Sequence, residues 1–220
     1  MIKIKNFSKK YGNNVVFNNF NLNIKKSEIT CVLGESGSGK TTLLNAIASL
    51  TQYEGHIDKV KCSYVFQKPN LFDNLTVQKN LRLVNNDDTV IAEIVQKLKI
   101  SDKINAYPKH LSGGQAQRVS LARGLIYDSD VLLLDEPLAS LDLKTKISVI
   151  ADVKKIFKEK NSTVIYVTHD IDEAIYIADR IIVLKNGQIE GDEQSFNSVD
   201  KLDYGQNEKM RKILFDILTK

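Results

Sequence analysis

The fold of this chain is decided by the stretch Gly34-Glu35-Ser36-Gly37-Ser38-Gly39-Lys40-Thr41. It fits the phosphate-loop pattern of Gly, four residues, Gly, Lys, and Ser or Thr. The apolar run at 29–33 predicts a buried strand before the motif, and the apolar residues at 43–47 predict the buried face of a helix after it. Strand, glycine-rich loop and helix form the context that this motif requires. We therefore expect the chain to bind a nucleoside triphosphate.

The residue types in the loop suit phosphate binding. Glycines let successive backbone N–H groups turn toward a phosphate with no Cβ in the way, and the helix N-terminus adds donors and a partial positive charge. Lys40 is expected to reach the β- and γ-phosphates, and the Thr41 hydroxyl to bind Mg²⁺. The predicted nucleotide-binding residues are Gly34, Ser36, Gly37, Ser38, Gly39, Lys40, Thr41 and Thr42.

Composition indicates an ordinary soluble globular protein, with 42% hydrophobic and 26% charged residues. The net charge of +4 is mild and the lysines are scattered, so no nucleic-acid partner is expected. Cys31 and Cys62 lack metal-binding spacing and fit a reducing cytosol. No run approaches the roughly 20 apolar residues that cross a bilayer. No signal peptide is evident at the start either. We expect a soluble chain that reaches a membrane only through a partner.

The predicted secondary structure of the first half of the chain changes from strands to helices at about Leu75. Strict alternation at 2–7 and 20–24 predicts half-exposed antiparallel strands, and 55–57 and 63–66 are short strand candidates. From Leu75 to about Asn105 the strand pattern gives way to helical spacing, which Pro108 ends. The residues with this spacing are Ile91, Ile94, Val95 and Leu98. This stretch predicts a small helical subdomain.

From Gly113 the pattern is strongly α/β. Apolar strands are predicted at 131–134 and 164–167, helices at 171–178 and 208–220, and a hairpin turn at Asn186-Gly187. One further helix is marked by Val119, Leu121, Ala122 and Leu125, and another, Lys144 to Lys160, is predicted to turn Ile147, Ile150, Val153 and Phe157 inward. Continuous apolar strands that alternate with helices imply a parallel sheet covered on both faces.

The fold predicted from these patterns is a single α/β domain over 1–220 with a P-loop NTPase core. Its sheet is mainly parallel, and it carries an N-terminal antiparallel β subdomain and a small α-helical subdomain. The core takes 1–66 and 113–220, and the helical subdomain takes about 68–110.

Two acids follow the apolar strand at 131–134. Carboxylates at the C-terminal end of a central parallel strand lie where open α/β sheets bind ligands. We expect Asp135 to hold the metal ion through its coordination shell, and Glu136 to orient and polarise the attacking water as a general base.

A second glycine pair occurs in Leu111-Ser112-Gly113-Gly114-Gln115. Two glycines after a serine, at the start of a helix, make a second anion-binding helix N-terminus. A chain with one phosphate site seldom needs another, unless the two sites close on each other in a dimer. LSGGQ, together with GESGSGKT, VLLLDE and the later lone His169, closely resembles the nucleotide-binding subunits of ATP-binding-cassette (ABC) transporters. The resemblance covers essentially the whole chain, with the motifs in the family's order.

The resemblance implies an ATPase that needs ATP and Mg²⁺ and works as a head-to-tail dimer. Each of two ATP molecules would lie between the phosphate loop of one subunit and Ser112, Gly113, Gly114 and Gln115 of the other. Hydrolysis would reopen the dimer, and the helical subdomain would pass this motion to an integral membrane permease. The chain is accordingly expected at the cytoplasmic face of the cell membrane, held there peripherally by the permease.

The same resemblance assigns roles to further positions. Tyr11 matches the aromatic residue that stacks on adenine, and Gln67 matches the glutamine that contacts Mg²⁺ and the water and links the site to the helical subdomain. His169 matches the histidine that contacts the γ-phosphate. Ser140 and Asp142 belong to a loop that touches the opposite subunit.

Importer cassettes are the more similar branch of this family. Leu138 stands where many exporter-like cassettes carry Thr, 168–180 looks like importer sequences, and 55–67 is short, as in the nitrate, sulfonate, taurine and thiamine-precursor group. A separate extracytoplasmic solute-binding protein is then expected. Because the sequence stops near Lys220, the extra regulatory domain of sugar importers is not expected. Ser49 stands where the family often has Gly, and the segment after Gln67 lacks the Trp that sulfonate-type cassettes often show.

Two alternatives remain open at this stage. One is the ATPase subunit of a lipid, peptide or drug exporter. The other is a soluble cassette protein of DNA repair or translation, which would need a long coiled-coil insertion or a second cassette. Leu71, Phe72 and Leu75 either receive a helix of the permease or are ordinary core residues. The resemblance also implies that the membrane subunits and, for importers, a separate binding protein choose the transported substrate.

Overall fold

The structure, a computed structural model, describes residues 1–139, 141–194 and 204–219. A six-stranded sheet in the order β5-β6-β7-β3-β8-β9 forms the centre. A three-stranded antiparallel sheet in the order β2-β1-β4 lies beside it. The strands are β1 Ile2–Tyr11, β2 Asn14–Ile24, β3 Ile29–Leu33, β4 Glu54–Ile57, β5 Cys62–Val65, β6 Val131–Asp135, β7 Val164–Thr168, β8 Arg180–Lys185 and β9 Gln188–Gln194.

Helices cover the central sheet. They are α1 Lys40–Ile47, α2 Val77–Arg82, α3 Asp88–Lys97, α4 Gly113–Ile126, α5 Leu143–Glu159, α6 Ile171–Ile177 and α7 Tyr204–Thr219, with 3₁₀ helices at Ser101–Lys103 and Pro108–His110. In the described part of the chain, none of them is long and apolar enough to span a membrane. The α/β class, the mainly parallel sheet and the antiparallel β part are confirmed.

The central strands are buried on both faces because their sequences are mainly apolar. All five residues of β3, of β6 and of β7 are buried. Successive side chains point to opposite faces. Leu33 and Leu134 therefore pack with α3–α6, whereas Val32 and Leu133 pack with α1 and the antiparallel sheet. Strands β5, β6, β7, β3 and β8 run parallel, and β9 returns antiparallel to β8.

The β8–β9 hairpin turns at Asn186-Gly187, as predicted. Both residues have positive φ, 47° and 73°, which is the conformation of the tight turns that suit twisted hairpins. A Cβ on Gly187 would lie 1.9 Å from the carbonyl oxygen of Val16, so only glycine fits. The N–H of Gly187 donates to the carbonyl of Ser38 at 3.2 Å. The hairpin therefore holds the phosphate loop through this backbone hydrogen bond.

Between residues 67 and 112, all of which the structure describes, the regular elements are helical, as predicted. Asn80, fully buried, holds the preceding loop: its side-chain amide accepts from the N–H of Phe72 and donates to the carbonyls of Phe72, Leu75 and Thr76. The boundary of a helical subdomain at about 68–110 stays a prediction.

One predicted core residue is wrong. Ile147 is 56% exposed, whereas Ile150, Val153 and Phe157 of the same helix are buried as predicted. The buried stripe of α5 continues backward through Lys146, which lies one residue before Ile147 and pairs with Asp170. Because an inward Lys satisfied by a carboxylate occupies that face, the neighbouring Ile is turned to the surface.

The pair Ile147 and Ile150 provides a matched test of this orientation. We expect Ile150→Ala to lower the free energy of unfolding by about 2–4 kcal/mol, because it leaves a cavity in a buried face. Ile147→Ala should change it by less than about 0.5 kcal/mol, as exposed substitutions do. Urea denaturation without nucleotide measures both, and equal losses would contradict the observed orientation of α5.

Candidate nucleotide site

The phosphate loop joins the carboxyl end of β3 to α1. Gly34 donates its N–H to the carbonyl of Thr168 at 3.3 Å, and a Cβ on it would meet the carbonyl oxygen of Leu184 at 2.3 Å. Gly39 has φ 108°, and a Cβ there would lie 2.8 Å from the ring of Phe17. The glycines are therefore required by conformation and by close packing.

The start of α1 presents polar groups that the chain does not satisfy locally. The helix has no side-chain cap, in a stretch that the structure describes completely. The Oγ of Ser38 is buried and has no hydrogen-bond partner among the described residues. Free N–H groups and the positive end of the helix dipole form an anion-binding site. The loop thus has the chemistry that a triphosphate requires.

Lys40 is buried at 5% exposure beside this loop. Its ammonium donates to the carbonyls of Gly34 and Glu35, both at 2.7 Å, and lies 3.8 Å from Oε1 of Glu136. Burial lowers the pKa of Lys40, and the carboxylates of Glu136 and Asp135 oppose that shift. The cation is therefore held among acceptors at the mouth of the loop.

Asp135, at the carboxyl end of β6, accepts hydrogen bonds from side chains of α1 and β5. Its Oδ1 accepts from the hydroxyl of Thr41 at 3.1 Å, and its Oδ2 accepts from the hydroxyl of Tyr64 at 3.3 Å. Burial raises the pKa of Asp135 and also that of Tyr64, whose hydroxyl therefore stays a donor. The hydrogen bond from Tyr64 was not anticipated from the sequence.

The donor set around Asp135 fits Mg²⁺. Within the described residues, no group of three or more His, Cys, Asp and Glu side chains is arranged to hold a metal ion. Mg²⁺ needs no such cage, because it binds through one or two carboxylates together with substrate phosphates and water. The hydroxyl of Thr41 and the carboxylate of Asp135 are hard oxygen donors, already side by side.

Glu136 lies between two cationic or potentially cationic groups. Its Oε2 is 3.1 Å from Nδ1 of His169, and its Oε1 faces Lys40. Its φ of 44° is left-handed, and its N–H donates to the carbonyl of Val167 at 3.0 Å. A left-handed residue that is not glycine stores strain of about 1–3 kcal/mol, and such residues concentrate at functional sites. The backbone is thus bent to aim this carboxylate at the loop.

A buried network supports the segment that carries His169. The hydroxyls of Tyr166 and Thr168 both donate to the carboxylate of Glu173, whose pKa is raised by burial. Asp170 caps α6 and accepts from Lys146 at 3.0 Å. Sequence reasoning missed this network, although an Asp followed three residues later by a Glu is a recognisable helix start.

Gln67 and Tyr11 lie at or just beyond the ends of β5 and β1. Gln67 is exposed and follows β5, whose Val65 pairs with Leu134, so it lies at the same sheet edge as Asp135. Tyr11 is 50% exposed at the end of β1, with the ammonium of Lys9 4.6 Å from its ring centroid. It pairs with Asn14, in the strand that packs against Gly39. Their roles stay predictions.

The LSGGQ segment forms a second cluster. Ser112 caps α4 by accepting from the N–H of Gln115 at 3.3 Å, and the side chain of Gln115 accepts from the N–H of Ser112 at 3.0 Å. A Cβ on Gly114 would lie 2.9 Å from Thr145 of α5, which Asp142 caps. A Cβ on Gly113 would meet nothing within 4 Å. Ser140 lies outside the described residues.

Two predicted groups thus occupy two places. The structure brings the phosphate loop, Asp135, Glu136 and His169 into one cluster. The four residues of the glycine-pair motif and Asp142 gather at the starts of α4 and α5.

Comparison with known families gives one clear match. Residues 17–139 match the family model described as "ABC transporter". The Fe(3+) ions import ATP-binding protein of Fusobacterium nucleatum subsp. nucleatum is 39% identical over 210 residues, which cover 86% of this chain and 57% of that protein. The aliphatic sulfonates import ATP-binding protein of Paraburkholderia xenovorans is 40% identical over 195 residues, with 86% and 78% covered.

Solved structures agree with these relatives. The dimeric structure of a bacterial ABC transporter cassette, MJ0796, superposes with a TM-score of 0.78 and 34% identity, over 88% of this chain and 98% of that one. A post-hydrolysis structure of the same cassette, bound to ADP and Pi, gives a TM-score of 0.77. Part of an ABC transporter complex from Clostridium perfringens gives 0.81 at 26% identity, over 97% and 94%.

Lys40 provides the direct test of this site. We expect Lys40→Ala to weaken ATP binding by at least about tenfold, because hydrogen bonds to a charged group contribute about 1.5–3 kcal/mol. Lys155→Ala is the control, since that side chain is 78% exposed on α5. Isothermal titration calorimetry measures both affinities, and near-normal binding by the Lys40 variant would contradict the assignment of the phosphate loop.

Proposed function

The chain belongs to the ABC transporter family and is an ATPase of the ABC type, and on this premise we propose that it powers solute import through a separate membrane permease. The observation that carries the chemical part of the proposal is the position of Glu136, held between Lys40 and His169 beside the phosphate loop. The import part rests on the relatives, which are named as import ATP-binding proteins.

ATP binding is assigned to the phosphate loop and the start of α1. The backbone N–H groups of 34–42 and the ammonium of Lys40 would bind the phosphates, and the exposed ring of Tyr11 would stack on adenine. Thr41, Asp135 and Gln67 would hold Mg²⁺, which when bound neutralises phosphate charge.

Hydrolysis is assigned to Glu136 and His169. Glu136 would orient the attacking water and accept its proton while the new oxygen–phosphorus bond forms and ADP leaves. His169, 58% exposed and next to Glu136, would donate to an oxygen of the transferred phosphoryl group. The ion pair between Lys146 and Asp170, the residue after His169, would keep that His in place.

A head-to-tail dimer would complete the site. Gly113 begins α4 at an exposed position with open space around it, so a phosphate from a second subunit can approach the helix N-terminus. Each glycine-pair motif would meet the phosphate loop of the other subunit, which gives an isologous interface. Ser140 and Asp142 would touch the opposite subunit. The similar MJ0796 cassette has been solved as a dimer.

The membrane partners follow from the import proposal. A permease would bind beside the helices at 77–97, with Phe72 as a contact because it is 54% exposed. Leu71, by contrast, packs against the core. The chain would sit at the cytoplasmic face of the membrane, and an extracytoplasmic solute-binding protein would deliver the solute. The named relatives are import proteins and do not favour an exporter.

Glu136→Gln tests hydrolysis and dimerisation together. We expect the ATPase rate to fall by about 10²–10⁴-fold, because a positioned general base contributes that much. The variant should still bind ATP. With ATP bound, it should accumulate as a dimer, which size-exclusion chromatography detects. Glu190→Gln, an exposed site on β9, is the control. A variant that stays monomeric with saturating ATP, alone and with its permease, would contradict the dimer.

Co-purification tests the import proposal. From gently solubilised membranes, the chain should bring down a multi-span permease together with a solute-binding protein. We expect Phe72→Ala to reduce the recovered permease several-fold, and Phe215→Ala, 56% exposed on α7, to leave it unchanged. A permease with large extracytoplasmic domains and no binding protein would overturn import, and equal recovery with both variants would overturn the proposed contact.

A further inference from the structure

We propose that Tyr64 is a positioning residue for the metal ligand Asp135, and that its ring couples this carboxylate to the segment carrying Gln67. The inference rests on the proposed function, which makes Asp135 a ligand of Mg²⁺. Tyr64 lies on β5, whereas Asp135 ends β6.

The carboxylate of Asp135 accepts hydrogen bonds from two hydroxyls. The hydroxyl of Tyr64 donates to Oδ2 of Asp135 at 3.3 Å, while the hydroxyl of Thr41 donates to Oδ1 at 3.1 Å. Asp135 is 7% exposed, so few water molecules can orient it. The two hydroxyls, one on each carboxylate oxygen, therefore determine how the carboxylate plane is turned.

The chemistry of a phenol suits this task. Tyr64 adds a hydrogen bond without adding a charge, so it does not compete electrostatically with a divalent cation as a Lys would. Hydrogen bonds to ligating carboxylates typically change metal affinity or activity by about 10–100-fold when they are lost. Removing the hydroxyl should therefore loosen Asp135 and weaken the metal site.

Tyr64 also takes part in an aromatic stack. The rings of Tyr64 and Phe66 lie 4.2 Å apart between centroids and 16° from parallel. Phe66 is 38% exposed and directly precedes Gln67. A movement of the segment at 66–67 therefore shifts the Tyr64 ring and, through its hydroxyl, the carboxylate of Asp135. The exposed residues 66–67, just after β5, are thereby coupled to the metal ligand Asp135.

Tyr64→Phe tests the hydroxyl, because it keeps the stack and removes only the donor. With a non-hydrolysable ATP analogue bound, we expect the affinity for Mn²⁺, measured by electron paramagnetic resonance as a probe for Mg²⁺, to fall about tenfold. Nucleotide affinity without metal should be unchanged. Tyr127→Phe is the control, since Tyr127 precedes β6 at the opposite end of the sheet.

The outcomes separate this inference from the function beneath it. Wild-type Mn²⁺ affinity in Tyr64→Phe would overturn the positioning role while leaving the ATPase proposal standing. A wild-type chain that binds nucleotide but no Mn²⁺ would contradict the proposed metal site, and this inference with it. An ATPase rate restored by raising the Mg²⁺ concentration in Tyr64→Phe would support the role further.

A double-mutant cycle tests the ring. Phe66→Ala should weaken Mn²⁺ binding in the wild-type background, because the stack that steadies Tyr64 is lost. In the Tyr64→Phe background the same change should have no further effect, since there is no hydroxyl left to position. Equal effects in both backgrounds would overturn the coupling through the ring.

Discussion

The parallel pairing of β3, β6 and β7 is the constraint on which the rest of the structure depends. Leu33 pairs with Thr168, and Asp135 pairs with Val167, so the three strands end at the same edge. Parallel strands bring their carboxyl ends together, and the chain leaves each end with a chemically active group. The phosphate loop, the acidic pair and His169 are therefore adjacent in the structure although they are far apart in the sequence.

Electrostatics then determine how these groups are held. Lys40 and Asp135 are buried ionisable groups, which are costly unless they are paired and hydrogen-bonded. Lys40 is satisfied by loop carbonyls, and Asp135 by two hydroxyls. The left-handed Glu136 is kept between Lys40 and His169. Each of these charged groups is therefore held by partners from other parts of the chain.

Local patterns predicted most of the fold and the ends of the site, because the phosphate loop and the apolar strands have signatures within a few residues. The contacts that the sequence did not predict join residues that are far apart along the chain. Ile147 faces outward because Lys146 pairs with Asp170, 24 residues away, and Tyr64 reaches Asp135 across 71 residues. Spacing within one element cannot reveal which charged or hydroxyl group from another strand will satisfy it.

In the proposed head-to-tail dimer, each ATP site is composed of the phosphate loop of one subunit and the glycine-pair motif of the other. Mixing two inactive chains, Lys40→Ala and Gly113→Asp, tests it directly. The new carboxylate would repel phosphate, while open space and the helix dipole accommodate it in the isolated chain. Because a mixed dimer contains one intact composite site, we predict an ATPase rate well above the sum of the two unmixed variants. A mixture no more active than its parts would contradict the composite site.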